Sequence, residues 1–150
     1  MDNPTKTDLN GLVKHVLEGT TVPGNVEVVT SFGEGLDSII IDPDIMHRII
    51  DNLVENAFDA MPEGGRLVIR VKKRVDGVVI SVGDTGVGIP EESKERIFSP
   101  LYTTKAGGMG LGLTYCRRAI EAQGGSIDFE SEVGVGTTFT VKLPLAPNQA

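Results

Sequence analysis

The chain has 150 residues, of which 39% are hydrophobic and 23% are charged, and this balance fits one globular domain over residues 1–150 with a core of its own. Its net charge of -7 argues against nucleic acid as a partner and against direct contact with an anionic membrane. A single cysteine excludes an internal disulfide, no apolar run approaches the length of a membrane span, and the expected location is cytoplasmic.

Hydrophobic periodicity predicts helices and strands in alternating blocks. In the first half we expect a helix at 8–19, strands at 26–32 and 38–42 with a gap long enough for a hairpin loop, and a helix from 42 to about 61. In the second half we expect strands at 66–73 and 77–82, a short helix at 91–98, a loop at 99–110, a helix at 111–123 and paired strands at 126–130 and 137–143. The termini, 1–6 and 144–150, are expected to be loose. The blocks indicate an α/β two-layer sandwich, with a mixed, mostly antiparallel sheet covered by helices on one face.

Residues 84–90 read D-T-G-V-G-I-P and directly follow an apolar, β-branched strand segment. Asp84 at the end of that strand is, taken alone, typical of a turn. Gly86 and Gly88 would also let the backbone approach a ligand closely. This stretch by itself leaves both interpretations open.

The segment 107–113 reads G-G-M-G-L-G-L and leads into a predicted helix. It matches neither G-x-G-x-x-G nor the Walker pattern, because no Gly-Lys-Ser/Thr follows. Such a loop can hold a phosphate through free N–H groups and the positive end of the helix, although a flexible loop without a ligand is equally consistent. Just before it, Thr103, Thr104 and Lys105 offer hydroxyl donors and a counter-charge, if they are more than solvated loop residues.

Asn52 and Asn56 lie four residues apart on the helix predicted from 42, so their side chains share one side of it. Two solvated amides would be the ordinary explanation. The small neighbours Ala57 and Ala60 leave space beside them, however, and an amide oxygen there can complete the shell of Mg²⁺. This ion takes few protein ligands beside waters and substrate phosphates.

In this order, the segments resemble the ATP-binding domain of the histidine kinases. Residues 52–57 are similar to its N box, 84–90 to the first glycine box, 97–105 to the F box, 108–113 to the second glycine box, and 134–139 to the final G-x-G-T-x-F. One box alone is weakly specific, whereas the ordered set over most of the chain is strongly so. The extension 57–65 is similar to the nitrogen-regulation (NtrB-like) branch, and the F box departs at Ser99 and Leu101, where relatives often carry Glu and Phe.

The resemblance implies the Bergerat ATP-binding fold, with ATP and Mg²⁺ as cofactors. It implies that Asp84 accepts a hydrogen bond from the adenine amino group, since an ionised carboxylate is an acceptor only and selects that amine over the carbonyl of guanine. Asn56 would hold Mg²⁺, and Asn52, Asn56 and Lys105 would form the catalytic set. The other residues implied at the nucleotide are Gly86, Gly88, Ile89, Phe98, Thr103, Thr104, Gly108, Gly110, Leu111, Gly112 and Thr138.

The function implied is the catalytic domain of a two-component sensor histidine kinase, which transfers the γ-phosphate of ATP to a histidine on a separate dimerisation domain. Its further partner would be a response regulator, and the domain is expected in the cytoplasm whether or not the full-length kinase is anchored in a membrane. The alternatives are a hydrolysing ATPase, like gyrase, MutL and a heat-shock chaperone, and a nucleotide-binding module without catalysis.

Asn52 favours the kinase, because hydrolysing relatives carry a glutamate base at that position and an amide cannot take a proton at neutral pH. The chain's own histidines, His15 and His47, lack the adjacent acidic residue of a phosphoacceptor and lie in predicted framework helices. We therefore expect the phosphoacceptor on another domain. Cys116 is expected to pack in the core rather than to react.

Overall fold

A computed structural model of the chain describes residues 4–99 and 112–144. In chain order, the elements in these ranges are β1 (Thr5–Thr7), α1 (Leu9–Gly19), β2 (Val26–Phe32), β3 (Ile39–Ile41), α2 (Pro43–Asp59), β4 (Gly65–Arg74), β5 (Gly77–Asp84), a 3₁₀ helix (Glu91–Ser93), α3 (Gly112–Ala122), β6 (Ser126–Glu132) and β7 (Gly136–Pro144). No helix in this part of the chain is long and apolar enough to cross a membrane.

The main sheet has five strands in the order β2-β4-β5-β7-β6. Strands β2 and β4 run parallel, and the other three neighbouring pairs are antiparallel, which confirms the mixed, mostly antiparallel sheet. Burial alternates along β4 and β7, so one face of the sheet is covered and the other is exposed. The two-layer α/β sandwich is therefore confirmed.

The hairpin expected between 26–32 and 38–42 is wrong. Strand β2 pairs in parallel with β4, and β3 pairs with β1 in a separate two-stranded sheet. The segment between β2 and β3 leaves the sheet because Leu36 is fully buried and its carbonyl accepts a hydrogen bond from the Leu9 N–H of α1. A parallel partner then requires a crossover connection, and α2 lies within it.

Three residues of the segments expected to be loose, 1–6 and 144–150, lie in strands. Thr5 and Lys6 lie in β1 and pair with Ile41 and Ile40, so they supply the backbone partners that β3 would otherwise lack. At the other end, Pro144 closes β7 opposite Gly77, at a strand end where its missing N–H costs nothing.

Each of the first two helices begins after an aspartate that caps it. The Asp8 side chain accepts the Gly11 N–H at 3.0 Å, and the Asp42 side chain accepts the Asp44 N–H at 3.0 Å. The short helix expected at 91–98 is not an α-helix. Its hydrogen bonds, such as Ser93 N–H to Pro90 carbonyl at 2.9 Å, join residues three apart, so it is a 3₁₀ turn followed by further turns.

The core lies between the covered face of the sheet and the helix layer. Each fully buried Ile or Leu side chain in it stabilises the fold by about 1.5–3 kcal/mol. From the sheet come Leu67, Ile69, Val71, Val78, Ile80, Val82, Phe139, Val141, Leu143 and Ile127, and from the helices Leu9, Val13, Val16, Met46, Ile49, Ile50, Leu53, Val54, Ala57, Cys116 and Ile120.

Candidate functional site

The covered face of the sheet ends in a row of polar side chains. Asp84 closes β5, Thr137 lies opposite it on β7, and Ser131 lies opposite Thr137 on β6. Because alternate residues of a strand share a face, Asp84 lies on the same face as the buried Val82, and Thr137 on the same face as Phe139. The sheet thus carries a carboxylate and two hydroxyls in line, which we call the polar row (Asp84, Thr137 and Ser131).

Asp84 forms a turn and still keeps an oxygen for a ligand. Its Oδ1 accepts the Gly86 N–H at 2.9 Å, two residues on, and the Thr137 N–H at 3.3 Å. No residue in the described ranges donates to its other carboxylate oxygen. Burial desolvates the charge and raises the pKa of Asp84 above its ordinary value, an effect that the two N–H donors oppose. The interpretation of Asp84 as a turn residue is therefore compatible with its interpretation as a ligand-binding residue.

The loop after Asp84 is docked on two other parts of the protein. The Val87 N–H donates to the Ala60 carbonyl at 2.9 Å, and a Cβ at Gly86 would collide with that same oxygen. Gly88 has φ +79°, and a Cβ there would collide with the backbone of Glu132. Both glycines are thus required by backbone packing within the protein, whatever they do toward a ligand.

Asn56 lies close to this loop. Its carbonyl accepts the N–H of Ala60, so Asn56 is one helical turn before the residue on which the loop docks. Its half-buried side chain has no hydrogen-bond partner among the residues that the structure describes. A free amide oxygen of this kind fits a magnesium ion that draws its other ligands from water and phosphate. No cluster of three or more His, Cys, Asp or Glu side chains suited to a metal occurs in 4–99 or 112–144.

Asn52 faces the third helix. A Cβ at Gly112, the first residue of α3, would lie 3.4 Å from its Cγ and Oδ1. Its side chain also interacts with the thiol of Cys116, one turn further along α3, and this interaction opposes the effect of burial on the pKa of that thiol. The structure therefore brings Asn52 and Gly112 together, while Glu55 on the same helix is exposed to solvent.

Cys116 is fully buried, which confirms its packing role. Its thiol donates to the Ile49 carbonyl at 3.7 Å. Burial raises the pKa of Cys116 to about 12, so its reactive thiolate form is rare at neutral pH.

Thr138 does not lie with the polar row. It is exposed, and its hydroxyl lies against Gly83 on the open face of the sheet, on the other side from Asp84. Its neighbour Thr137 is buried and donates its N–H to Asp84. Adjacent residues of a strand point to opposite faces of the sheet. The register of β7 therefore decides whether Thr137 or Thr138 shares a face with Asp84.

Phe98 is a packing residue. Its ring contacts Phe129 and Phe139 edge to face, at centroid distances of 5.9 and 6.3 Å, and its carbonyl accepts the Thr114 hydroxyl at 2.9 Å. Ile89 is half-buried and donates its N–H to the Ser131 hydroxyl at 2.7 Å. The remaining expected site residues lie outside the described ranges: Thr103, Thr104, Lys105, Gly108, Gly110 and Leu111.

Sequence reasoning missed Thr137 and Ser131. A signal was present in β6, where Ile127, Phe129 and Ser131 occupy alternate positions and so share the covered face. A serine in the apolar phase of a half-buried strand needs a hydrogen-bond partner, and this indicates a specific contact.

Residues 41–147 match the family model described as histidine kinase-, DNA gyrase B- and HSP90-like ATPase. Sporulation kinase C of Bacillus subtilis (strain 168) is 37% identical over 142 residues, covering 91% of this chain and 33% of the relative. Sensor histidine kinase ZraS of Escherichia coli (strain K12) is 36% identical over 141 residues, covering 92% and 30%. The chain thus spans about a third of the length of these curated relatives.

Solved structures of histidine kinases have the same fold as this chain. The catalytic domain of histidine kinase ThkA, in a nucleotide-free form, superposes with a TM-score of 0.84 at 34% identity and covers 99% of both chains. Full-length ShkA in complex with AMPPNP superposes with a TM-score of 0.85 at 28% identity, covering 97% of this chain and 32% of that one.

Proposed function

Because the chain belongs to the histidine kinase-, DNA gyrase B- and HSP90-like ATPase family, we propose that it binds ATP and acts as the catalytic domain of a sensor histidine kinase. The observation that supports this most directly is the geometry of Asp84. One carboxylate oxygen closes the turn to Gly86, and the other receives no hydrogen bond from the described residues. Asp84 is thus an acceptor held in place beside a glycine loop.

We propose that this free oxygen accepts the exocyclic amine of adenine. An ionised carboxylate has no hydrogen to donate, so the carbonyl oxygen of guanine in the same place would face a like partial charge. Thr137, rather than Thr138, is the threonine that we include in the proposed base site, because it lies next to Asp84 in the polar row.

Asn56 is the proposed protein ligand of Mg²⁺, since its amide is unbonded in the described ranges and the ion usually keeps several waters. When bound, Mg²⁺ would neutralise charge on the phosphates. The residues proposed to contact the phosphates belong to the second glycine box and to the end of the F box before it. They are Thr103, Thr104, Lys105, Gly108, Gly110, Leu111 and Gly112.

Phosphotransfer fits helix α2 better than hydrolysis does. Asn52 contacts α3 through Gly112 and Cys116, and its amide has no capacity to take a proton from water. Glu55 is exposed to solvent, so we do not propose it as a base in place of Asn52. A histidine nitrogen needs no such base, so Asn52 can serve as a positioning group in the catalytic set with Asn56 and Lys105.

The accepting histidine is proposed to lie on a separate dimerisation domain. His15 and His47 belong to α1 and α2 of the helix layer, and their rings lie edge to face at 5.8 Å. The response regulator of the full kinase is the further partner that we propose, with the domain located in the cytoplasm.

Calorimetric titration tests the nucleotide site. We expect ATP and ADP to bind, GTP to bind negligibly, and Mg²⁺ to strengthen ATP binding. Asp84→Asn should abolish binding, while the matched control Asp128→Asn, on the exposed face of β6, should leave it unchanged. Wild-type affinity in Asp84→Asn would show that the adenine assignment is wrong.

Labelling with γ-labelled ATP tests the reaction. The chain alone should take up no acid-labile label and should hydrolyse ATP slowly, and it should phosphorylate an added histidine-bearing dimerisation domain of a kinase relative. Labelling of the isolated chain that is lost in His15→Ala or His47→Ala would contradict a separate phosphoacceptor. Fast magnesium-dependent hydrolysis would favour the ATPase alternative, and binding without transfer the module without catalysis.

A further inference from the structure

Ser131 joins three backbone segments at the edge of the proposed base site. Its hydroxyl accepts the Ile89 N–H at 2.7 Å, lies 3.2 Å from the Gly136 carbonyl oxygen, and lies 2.7 Å from Thr137 Oγ1. We propose that Ser131 is a positioning residue for base recognition, which holds the loop after Asp84 and sets the direction of the Thr137 hydroxyl. This inference rests on the proposed adenine-nucleotide function.

The hydrogens around Ser131 can be counted. A serine hydroxyl has one hydrogen and two lone pairs, and one lone pair is used by the Ile89 N–H. The hydrogen can go to Gly136 or to Thr137, and either hydroxyl can be the donor of the 2.7 Å contact between Ser131 and Thr137. Our proposal assigns the Ser131 hydrogen to this shorter contact. With the Ser131 hydrogen on Thr137 Oγ1, the threonine keeps its own hydrogen for donation elsewhere.

Thr137 lies between Ser131 and Asp84 in the polar row. A donor at Thr137 beside the acceptor at Asp84 matches the edge of adenine, where the amino group is a donor and the adjacent ring nitrogen is an acceptor. In guanine the order on this edge is reversed, with a carbonyl acceptor beside a ring N–H donor. Ser131 therefore strengthens the selection that Asp84 begins, without itself touching the base.

The position of Ser131 is itself held from the far side. Lys94 Nζ donates to the Ser131 backbone carbonyl at 2.8 Å, and it pairs with the Glu91 carboxylate at 2.6 Å. Glu91 begins the 3₁₀ helix that follows the loop. Ile89 and Lys94, the two ends of the segment 89–94, both hydrogen-bond Ser131. The Ser131 hydroxyl is the part of this attachment that reaches toward Asp84.

A comparison of ATP with inosine triphosphate tests the proposal, because inosine carries a carbonyl in place of the adenine amine. In Ser131→Ala we expect about five- to tenfold weaker ATP binding, the worth of one neutral hydrogen bond, with little change for inosine triphosphate. Ser131→Thr, which restores a hydroxyl, should recover most of the selectivity. Ser126→Ala, on the exposed face of the same strand, should match wild type.

Hydrogen exchange of the Ile89 amide supplies a readout without nucleotide, and it should accelerate in Ser131→Ala but not in Ser126→Ala. An unchanged exchange rate, or equal losses for both nucleotides, would overturn the positioning role while leaving the proposed function intact. If Ser131→Ala does not fold, Ser131→Cys keeps the shape with a much weaker hydrogen-bonding group and carries the same expectations. A wild-type chain without preference for ATP would overturn both the proposed function and this inference.

Discussion

Two rows of side chains run parallel across the sheet, four residues apart along each of the three strands that they share, and they differ in chemistry. The apolar row consists of Val71, Ile80, Val141 and Ile127, and all four side chains are buried against the helix layer. The polar row crosses β5, β7 and β6 one step from the end of the sheet, where a desolvated carboxylate and two hydroxyls replace branched aliphatic groups.

The contrast separates stability from binding within one sheet. The apolar row contributes through area removed from water, and each side chain there depends on its neighbours only for packing. The polar row holds its groups by hydrogen bonds and by glycines that permit close backbone approach, and it keeps one acceptor unbonded within the described residues. Perturbations of the two rows should therefore give different signatures in stability and in nucleotide affinity.

The largest expected effect concerns Cys116, which belongs to the core that covers the apolar row. Burial raises the pKa of its thiol to about 12 from an ordinary value of 9.0, so at pH 8 the thiolate fraction falls by about a thousandfold. Labelling by a thiol reagent should be slowed at least this much relative to the unfolded chain. Labelling at the unfolded rate in native buffer would show that this part of the core is open.

Next in size is Ile80→Ala at the centre of the apolar row. Ile80 is 1% exposed, so its truncation should lower the free energy of unfolding by about 2–5 kcal/mol through lost burial and the cavity left behind. Urea unfolding measures this change. ATP affinity of the folded variant should stay near wild type, and Val75→Ala, at an exposed turn position, serves as the control. If Ile80→Ala lost as much ATP affinity as Asp84→Asn, the apolar row and the polar row would not have separate roles in stability and binding.

Gly88→Ala should cost stability and affinity together. An alanine at this position is strained by the positive φ, and its Cβ collides with the backbone of Glu132. We expect the free energy of unfolding to fall by about 1–3 kcal/mol. Gly134→Ala is the matched control, because Gly134 has nearly the same φ, +82°, and open space around its Cβ. Equal losses in the two variants would show that the docking of the loop contributes nothing.

The smallest expected effect has the opposite sign. The pKa of Asp84 is higher in the folded chain than in the unfolded one, so its charge destabilises the fold; this penalty is complete above the folded pKa and disappears as pH falls below the unfolded value near 3.9. Asp84→Asn should therefore raise the unfolding free energy at pH 7, with a gain that shrinks on acidification. Denaturation of the variant, wild type and Asp128→Asn across pH measures it, and a destabilised Asp84→Asn would contradict the argument.

The predictions from sequence succeeded where a feature depends on neighbours along the chain. The extents of α1 and α2 and the strand segments all follow from local periodicity and local hydrogen bonding. The order of the boxes likewise led to the family that the comparisons show. The nitrogen-regulation branch stays a prediction.

The failures concern partners that are distant along the chain. Nothing in 26–42 indicates that β2 pairs with β4 and β3 with β1, since strand pairing is set by the crossover and by the burial of Leu36. The sequence analysis included Thr138 among the site residues, whereas the threonine opposite Asp84 is Thr137, because register decides the face of a strand. Ser131 was missed because its partners, Ile89 and Thr137, come from two other segments.

The sequence by itself determined the chemistry of this protein: a carboxylate after an apolar strand, glycines that permit close approach, and two amides on one side of a helix. Tertiary structure alone decided which groups meet. It turned Asp84, Thr137 and Ser131 into one row, docked Gly86 and Gly88 on Ala60 and Glu132, and placed Asn52 against Gly112. The physical reason is that side-chain type is encoded residue by residue, whereas register, strand order and helix packing are fixed only when the whole covered face of the sheet is buried at once.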